Sequence, residues 1–556
     1  MRIALAQINP IVGDLAGNSE KILRYVKAAK SKGADVVTFP ELALCGYPPQ
    51  DLVLKKVFID DCESALKKLS QGITGILVIA GTITRNEKGE ACNSAVLIKE
   101  KKIKAVYNKI ELPNYGVFDE KRYFHHGSKI PIFKLSNTLF GVSICEDIWL
   151  DRVTESQKSL GADVVFNISA SPYHADKASE RVEYIGKKAR RLGLHIFYNN
   201  LIGGQDELVF DGNSFAVGPD GREKVRAKAF EEDLVFYDMP EKDPDARENR
   251  PYLYLGGIAS SKKPVLKPNK QKKLTGIEEI YRALVLGTKD YVNKNKFEKI
   301  LIGISGGIDS ALTAVIACDA IGVENVVGVT MPSMYSSAGT KNDAYKLASG
   351  LGMKLLEIPI EKVFYSYLAE LSKEFKGLKT DITEENLQAR IRGNLLMALS
   401  NKFGWLVVST GNKSEVSCGY STLYGDMVGG YNLLKDVYKT VVYELSRYLN
   451  KTSKFKIPVS IIKRPPTAEL RDNQKDSDSL PEYDVLDRIL KQYIEFDMGY
   501  EEIIKNNKFE PQTVKKVIKL VDRSEFKRRQ APPGIRITQK GFDKDRRMPI
   551  TNKYGS

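Results

Sequence analysis

The sequence predicts an α/β protein built as two large domains, and three observations carry that expectation. The chain has 556 residues, three to four times a typical domain of about 150 residues. Short apolar runs of strand character alternate with stretches of helical composition in both halves. Between the halves lies YLGGIASSKKPVLKPNKQKKLT, whose 262–273 portion holds six lysines, two prolines and no acidic residue. That composition suits a linker or exposed crossing segment and not a core. The expected division is therefore 1–253, a linker at 254–275, and 276–556.

In the first half the strand-like runs are IALAQI (3–8), VVTF (36–39), GILVIAG (75–81), AVLI (95–98), LFGVSIC (139–145) and DVVFNIS (163–169). Residues 18–32 and 174–192 have helical composition. In the former, Ile22, Leu23, Val26 and Ala29 share one stripe while Lys30 faces water. Helices are expected to cover one face of the sheets. The second half opens with a helix at 276–289 and the strand KILIGIS at 299–305, and α/β patterning continues through GVENVVGVTMPS and KLLEIPI. The absence of a short-period repeat argues against a solenoid or propeller.

Composition narrows the function classes. Hydrophobic residues make up 42% and charged residues 28% of the chain, which excludes a mostly disordered or fibrous protein. The net charge of +15 would steer nucleotides as readily as nucleic acid. No helix-turn-helix, RNP-like or zinc-finger pattern accompanies it, so no nucleic-acid partner is expected. No run reaches the roughly 18 apolar residues of a membrane span, and MRIALAQINP carries no signal-peptide pattern, so no membrane partner and a cytoplasmic location are expected. Cys45, Cys62, Cys92, Cys145, Cys318 and Cys418 form no CxxC pair, and His125, His126, His174 and His195 all lie in the first half. A nucleophile that works without histidine has to be considered.

Three strings sit at probable strand ends in the first half: FPELALCGYP around Glu41, VYNKIELPNYGVFDEKRYF around Lys109 and GVSICEDIW around Cys145. Strand ends of one sheet can converge on a pocket. There Cys145 would attack an amide carbonyl, Glu41 would accept and return protons, and Lys109 would stabilise the oxyanion. On residue chemistry alone the same residues equally fit a packed thiol, a helix-capping carboxylate and a surface ammonium. Taken together the three strings resemble the nitrilase family, in the form of the glutamine amidohydrolase domain of glutamine-dependent NAD synthetases. The resemblance covers residues 1–240 and implies a four-layer α-β-β-α sandwich with a Glu41–Lys109–Cys145 triad. It further implies a pocket glutamate at Glu120 and a glutamine site lined by Tyr47 and Tyr115, with surface pairing or core packing as the alternatives for these three.

In the second half LIGISGGIDSALTAVIA places SGGIDS, residues 305–310, between a strand and a helix. Gly306 and Gly307 permit a tight backbone path, Ser305 and Ser310 offer hydroxyls, and the helix N-terminus offers N–H groups to phosphate. The lysine of GxxxxGK[ST] is missing, which disfavours ordinary P-loop chemistry. Asp309 supplies a hard oxygen for Mg2+. In VVSTGNKSEVSCGYSTLYGDMVGGYNLLKDVYKT, Thr410, Glu415 and Asp426 could bring oxygens to ATP and Mg2+, and Lys439 could offset phosphate charge, with solvated surface positions as the alternative.

SGGIDS after ILIGI resembles the loop of ATP pyrophosphatases, which have a Rossmann-like parallel sheet flanked by helices. With RPPTAELRDNQKDSDSLPEYDVLD and QARIRGNLLMALSN, the second half is similar to NAD synthetases. The resemblance implies ATP contacts at Ser305, Gly306, Gly307, Asp309, Ser310 and Thr410, and Mg2+ at Asp309 and Glu415. It also implies deamido-NAD contacts at Arg390, Asp426 and Lys439, and a substrate-covering loop at 471–480. The basic 521–556 segment is expected to dock on the synthetase body or a neighbouring subunit.

Joined, the two resemblances imply a ligase in which Mg-ATP adenylates deamido-NAD and ammonia cut from glutamine converts it to NAD. A protected passage for ammonia and a homo-oligomer formed through the synthetase domain are implied as well. Amidation of another nucleotide or small acid, and a catalytically silent scaffold, are the competing readings.

Overall fold

The computed structural model describes residues 1–240, 251–258, 263–266, 269, 271, 273–472 and 474–554. The chain clusters into two compact units, one of Met1–Gln205 with Val209–Leu274 and one of Asp206–Leu208 with Thr275–Ser556. Of the expected crossing segment at 254–275, residues 259–262, 267, 268, 270 and 272 lie outside the described residues. At its start, Leu253–Tyr254 is a short strand paired in parallel with Phe133–Leu135.

Among the described residues the first unit contains a six-stranded and a seven-stranded sheet. The six-stranded sheet runs in the order Asp233–Asp238, Arg2–Gln7, Val36–Thr38, Leu77–Arg85, Ala91–Lys99, Lys102–Asn108. The other runs Glu223–Arg226, Phe215–Val217, His195–Asn200, Val164–Ser169, Thr138–Ile144, Phe133–Leu135, Leu253–Tyr254. The period of two sorts the first strand: Ile3 and Leu5 enter one core, Ala4 and Ala6 the other. Leu77, Leu97 and Tyr107 of the first sheet meet Phe140, Phe166 and Phe197 of the second in the inter-sheet core. The helices Leu15–Ser31 and Lys56–Gln71 cover the outer face of the first sheet through Ile22, Val26, Leu66 and Leu69. Lys177–Leu192 covers the second through Ile185 and Ala189. The result is the expected four-layer α-β-β-α sandwich, in which one face of each sheet meets helices and the other meets its sister sheet. That double cover explains why RIALAQ is buried at every position.

The first helix begins at Leu15, where the Asp14 carboxylate caps it by accepting from Gly17 N–H at 2.9 Å. Two strands carry weak sequence signals. Lys102–Asn108 is an edge strand with exposed lysines, and His195–Asn200 hides polar asparagines inside a buried run.

The second unit is a five-stranded, wholly parallel sheet in the order Lys354–Glu357, Val326–Thr330, Ile300–Gly303, Leu406–Ser409, Tyr431–Asn432. The chain moves outward from Ile300–Gly303 on one side and then returns beside it with Leu406–Ser409. The gap between these two strands is a topological switch point, where ligands of doubly wound sheets bind at the strand C-termini. The helix Ile308–Ile321 is buried along almost its whole length. It packs on the sheet and also against the helices Ile277–Lys294 and Lys439–Thr452, so it needs no polar face. On the opposite face Phe364, Ile391 and Leu396 from the helices Glu361–Glu370 and Ile382–Phe403 pack on Leu301, Val327 and Val407.

The C-terminal helices build a separate core from residues including Leu486, Ile503, Val514 and Val521. The basic terminal segment docks on this same unit. Arg528 donates to Ser417 O at 2.6 Å, and the Ile537 and Thr538 amides donate to Asp436 Oδ2 at 2.8 and 2.7 Å. No helix among the described residues is long and apolar enough to cross a membrane.

Candidate active sites

In the first unit Glu41 follows Val36–Thr38, Lys109 follows Lys102–Asn108 and Cys145 follows Thr138–Ile144. The fold brings these strand ends together. Lys109 Nζ donates to Glu41 Oε1 at 2.7 Å and to Glu120 Oε1 and Oε2 at 2.9 and 2.8 Å. Glu41 Oε1 also accepts from Asn93 Nδ2 at 2.7 Å, and its Oε2 accepts from the Ala170 amide at 2.8 Å. Both Glu41 and Lys109 are buried, so one ammonium serves two carboxylates out of reach of water. Burial raises the Glu120 pKa to about 7, against the pull of Lys109 and with added push from Glu41.

Cys145 is buried at the turn that follows its strand, with φ at +43°, a left-handed conformation unfavourable for a residue with a Cβ. Burial pushes its thiol well above the ordinary value; the Glu41 charge adds to this and Lys109 opposes it. The thiol is therefore protonated in this arrangement, and it needs a base to give up its proton. Tyr47 is buried and donates to Glu120 Oε1 at 3.0 Å. Tyr115 is exposed and donates to both oxygens of Glu146 at 3.0 Å.

In the second unit a cavity of about 310 Å³ lies at the switch point. Ser305, Gly306, Gly307, Asp309 and Ser310 reach it from the loop after Ile300–Gly303, and Thr410 and Glu415 from the segment after Leu406–Ser409. Gly306 has φ at +81°, and a Cβ there would fall 2.3 Å from Thr340 O, so only glycine fits. The serines brace the loop. Ser305 Oγ accepts from Gly307 N–H at 3.2 Å, and Ser310 Oγ donates to Gly307 O at 3.0 Å.

Lys439 sits between the two acidic residues. Its Nζ donates to Asp309 Oδ2 at 2.6 Å and to Glu415 Oε1 at 3.1 Å. Burial raises Glu415 out of the usual carboxylate range, Lys439 opposes that rise, and Asp309 and Asp476 add to it. Asp426 lines the cavity and accepts from Thr422 N–H at 2.6 Å. Arg390 is exposed, and its Nε donates to Leu423 O at 3.2 Å; the cavity is lined instead by Arg392, whose Nε donates to Met331 O at 3.0 Å. Two residues along a helix is about 200° of rotation, so the two arginines leave on opposite faces.

The comparisons with known proteins agree with both halves. The carbon-nitrogen hydrolase family model matches residues 2–244, and the NAD synthase model matches residues 280–531. A glutamine-dependent NAD(+) synthetase from Thermotoga maritima is 46% identical over 576 residues, covering 100% of this chain and 99% of its own. The chain belongs to the glutamine-dependent NAD(+) synthetase family. Another member of that family, from Acinetobacter baylyi, is 43% identical over 554 residues, with 100% of this chain and 98% of its own covered. A solved glutamine-dependent NAD(+) synthetase from Acinetobacter baumannii, in complex with ADP, is 42% identical at a TM-score of 0.75, covering 99% and 98% of the two chains. As a member of the glutamine-dependent NAD(+) synthetases, the chain is a ligase that takes its amide nitrogen from glutamine.

Several polar groups of these sites escaped the sequence reading. Asn93 and the Ala170 amide hold Glu41, yet neither belongs to a string around the triad. Asn412 donates to Asp309 Oδ1 at 2.9 Å; its GNKSE context was visible, its partner was not. Asp476, in the 471–480 segment, lines the cavity and accepts from Tyr483 at 2.8 Å; residue 473 of that segment lies outside the described residues.

Proposed function

We propose that the two sites share one nitrogen atom. In the first, Glu41 takes the Cys145 proton as the sulfur attacks the side-chain amide of glutamine. Lys109 stabilises the oxyanion, the C–N bond breaks, and the proton passes to the leaving ammonia. Water then releases glutamate from the thioester, with Glu41 as the base. Glu120 and Tyr47 fix Lys109, and Tyr115 with Glu146 lines the entrance for glutamine. In the second, the nicotinate carboxylate of deamido-NAD attacks the α-phosphate of ATP and pyrophosphate leaves. Ammonia attacks the resulting acyl adenylate and AMP departs, giving NAD.

Asp309 and Glu415 suit Mg2+, which takes one or two protein carboxylates and completes its shell with water and phosphate oxygens. Two acids already compete for the single Lys439 ammonium, and they have room for a further cation. Bound there, Mg2+ would offset phosphate charge. Ser305, Gly306, Gly307 and Ser310 would cradle pyrophosphate together with the following helix N-terminus, with Thr410 beside ATP. Lys439 would turn from its acids to phosphate, and Asp426 with Arg392, in the place expected of Arg390, would face the dinucleotide.

The observation that carries this reading is the buried Lys109 shared by Glu41 and Glu120 beside Cys145, on the chain that also carries the Asp309–Lys439–Glu415 cluster. Ammonium has no free lone pair, so nascent ammonia should be transferred under protection from water. We also read the protein as a homo-oligomer formed through its synthetase domain, checked by light scattering. The six cysteines are free thiols, as in a reducing cytoplasm, the location we propose. The deciding experiment is a C145A variant given deamido-NAD and Mg-ATP. Glutamine-supported NAD formation should vanish while ammonium-supported formation persists, and loss of both with an intact fold would refute the division of labour.

A further inference from the structure

The nucleophile and the ammonium of the first unit stand on different sheets. Cys145 follows Thr138–Ile144 of the seven-stranded sheet, and Lys109 follows Lys102–Asn108 of the six-stranded one. Among the described residues no strand ladder joins the two sheets, so their backbone hydrogen bonds alone do not set how far apart these strand ends lie.

The Asp147 side chain spans the Lys109 and Cys145 strand ends directly. Asp147 is fully buried and accepts four hydrogen bonds. Its Oδ1 accepts from the amides of Ile110 at 3.2 Å and Glu111 at 2.8 Å, the two residues after Lys109. Its Oδ2 accepts from the Ile144 amide at 2.9 Å, one residue before Cys145, and from the Tyr107 hydroxyl at 2.7 Å, two residues before Lys109. Burial raises the Asp147 pKa to about 6, with the Glu111 and Ile144 amides opposing. At neutral pH both oxygens are therefore acceptors. The residue it anchors on the nucleophile side precedes the left-handed Cys145, a conformation that persists only while its surroundings hold it.

We propose that Asp147 is a positioning residue for glutamine cleavage: its carboxylate ties the Cys145 turn to the Lys109 segment and so sets the distance between thiol, ammonium and base. This rests on the reading of Cys145, Glu41 and Lys109 as the glutamine-cleaving set. Productive geometry tolerates about 0.5 Å, and a misplacement of about 1 Å costs roughly 100-fold in rate. The neutral amide of Asp147→Asn keeps the volume. Its one oxygen can serve Ile110 and Glu111, but its NH2 then faces the Ile144 N–H, donor against donor, which frees the Cys145 side alone. Tyr107→Phe is milder and leaves the three amide bonds intact.

The test uses full-length D147N, Y107F and C145A, with kcat and KM for glutamine hydrolysis and the rate of ammonium-supported NAD formation. For D147N a fall in kcat of about 100-fold is expected, with KM within about threefold and ammonium-supported synthesis within about twofold. Y107F should lose about three- to tenfold in kcat. A D147N kcat within about threefold of the parent, or a loss confined to KM, would overturn the proposal. If D147N also loses ammonium-supported synthesis, Y107F decides: an unchanged kcat overturns the proposal and the stated fall upholds it. Glutamine hydrolysis that survives in C145A would instead sink the underlying reading of the triad.

Discussion

Glu120 titrates in an unusual place because burial costs its anion more than its share of Lys109 returns, and the pKa rises from 4.5 to about 7. A folded-state pKa above the unfolded one means that the folded chain holds the proton more tightly. The associated stability is complete below about pH 4.5 and is lost as the pH climbs through about 7. E120Q is neutral throughout and should lack that slope, so denaturant melts of the first unit between pH 4.5 and 7 should fall for the parent and flatten for the variant. At Gly306 the constraint is steric: G306A places a Cβ 2.3 Å from Thr340 O at a φ of +81°. About 1–3 kcal/mol of local strain is expected, read as at least a tenfold rise in the KM for ATP with glutamine hydrolysis unchanged. Both residues were named from sequence, Gly306 for its turn and Glu120 from the family pattern. Asp147 stands inside CEDIW yet carries no sequence signal of its role, because a carboxylate's partners 36 and 37 residues back in the chain leave no local trace.

At the scale of elements, legibility followed burial. DVVFNIS and LFGVSIC announce themselves because both faces of their sheet are covered. Lys102–Asn108 does not, since its edge position calls for lysines. The terminal helix Glu525–Arg528 lies in the basic segment expected to dock on the synthetase body, and there Arg528 is buried among the Ser417 and Val521 carbonyls and Glu525. R528A takes a donor from the Ser417 and Val521 carbonyls and leaves the Glu525 carboxylate with Arg529 and the more distant Arg546. A loss of about 1–3 kcal/mol is expected, seen as a lower melting transition of the second unit and reduced NAD formation with either nitrogen donor, while glutamine hydrolysis persists. Retention of ammonium-supported synthesis at parental stability would show that the tail is dispensable.

For the whole molecule, two chemistries on one chain imply separable requirements. Removing Mg2+ with EDTA should stop NAD formation with glutamine and with ammonium alike, while glutamate release continues, because no residue of the Glu41–Lys109–Cys145 site calls for a metal. Glutamine labelled with 15N in its side-chain amide, supplied against excess unlabelled ammonium, should place most of its label in NAD; full dilution would refute protected transfer. By itself the sequence determined that there are two α/β units, which chemistry each contains and the family to which the chain belongs. Those follow from patterns a few residues long, namely strand alternation, a glycine turn and short strings at strand ends. Tertiary structure alone decided which acids share Lys109 and Lys439, that Arg392 and not Arg390 reaches the cavity, and that one carboxylate ties two sheets together. Such pairings depend on where distant segments meet in space, and meetings of that kind are set by packing of the whole core, which no local window of sequence contains.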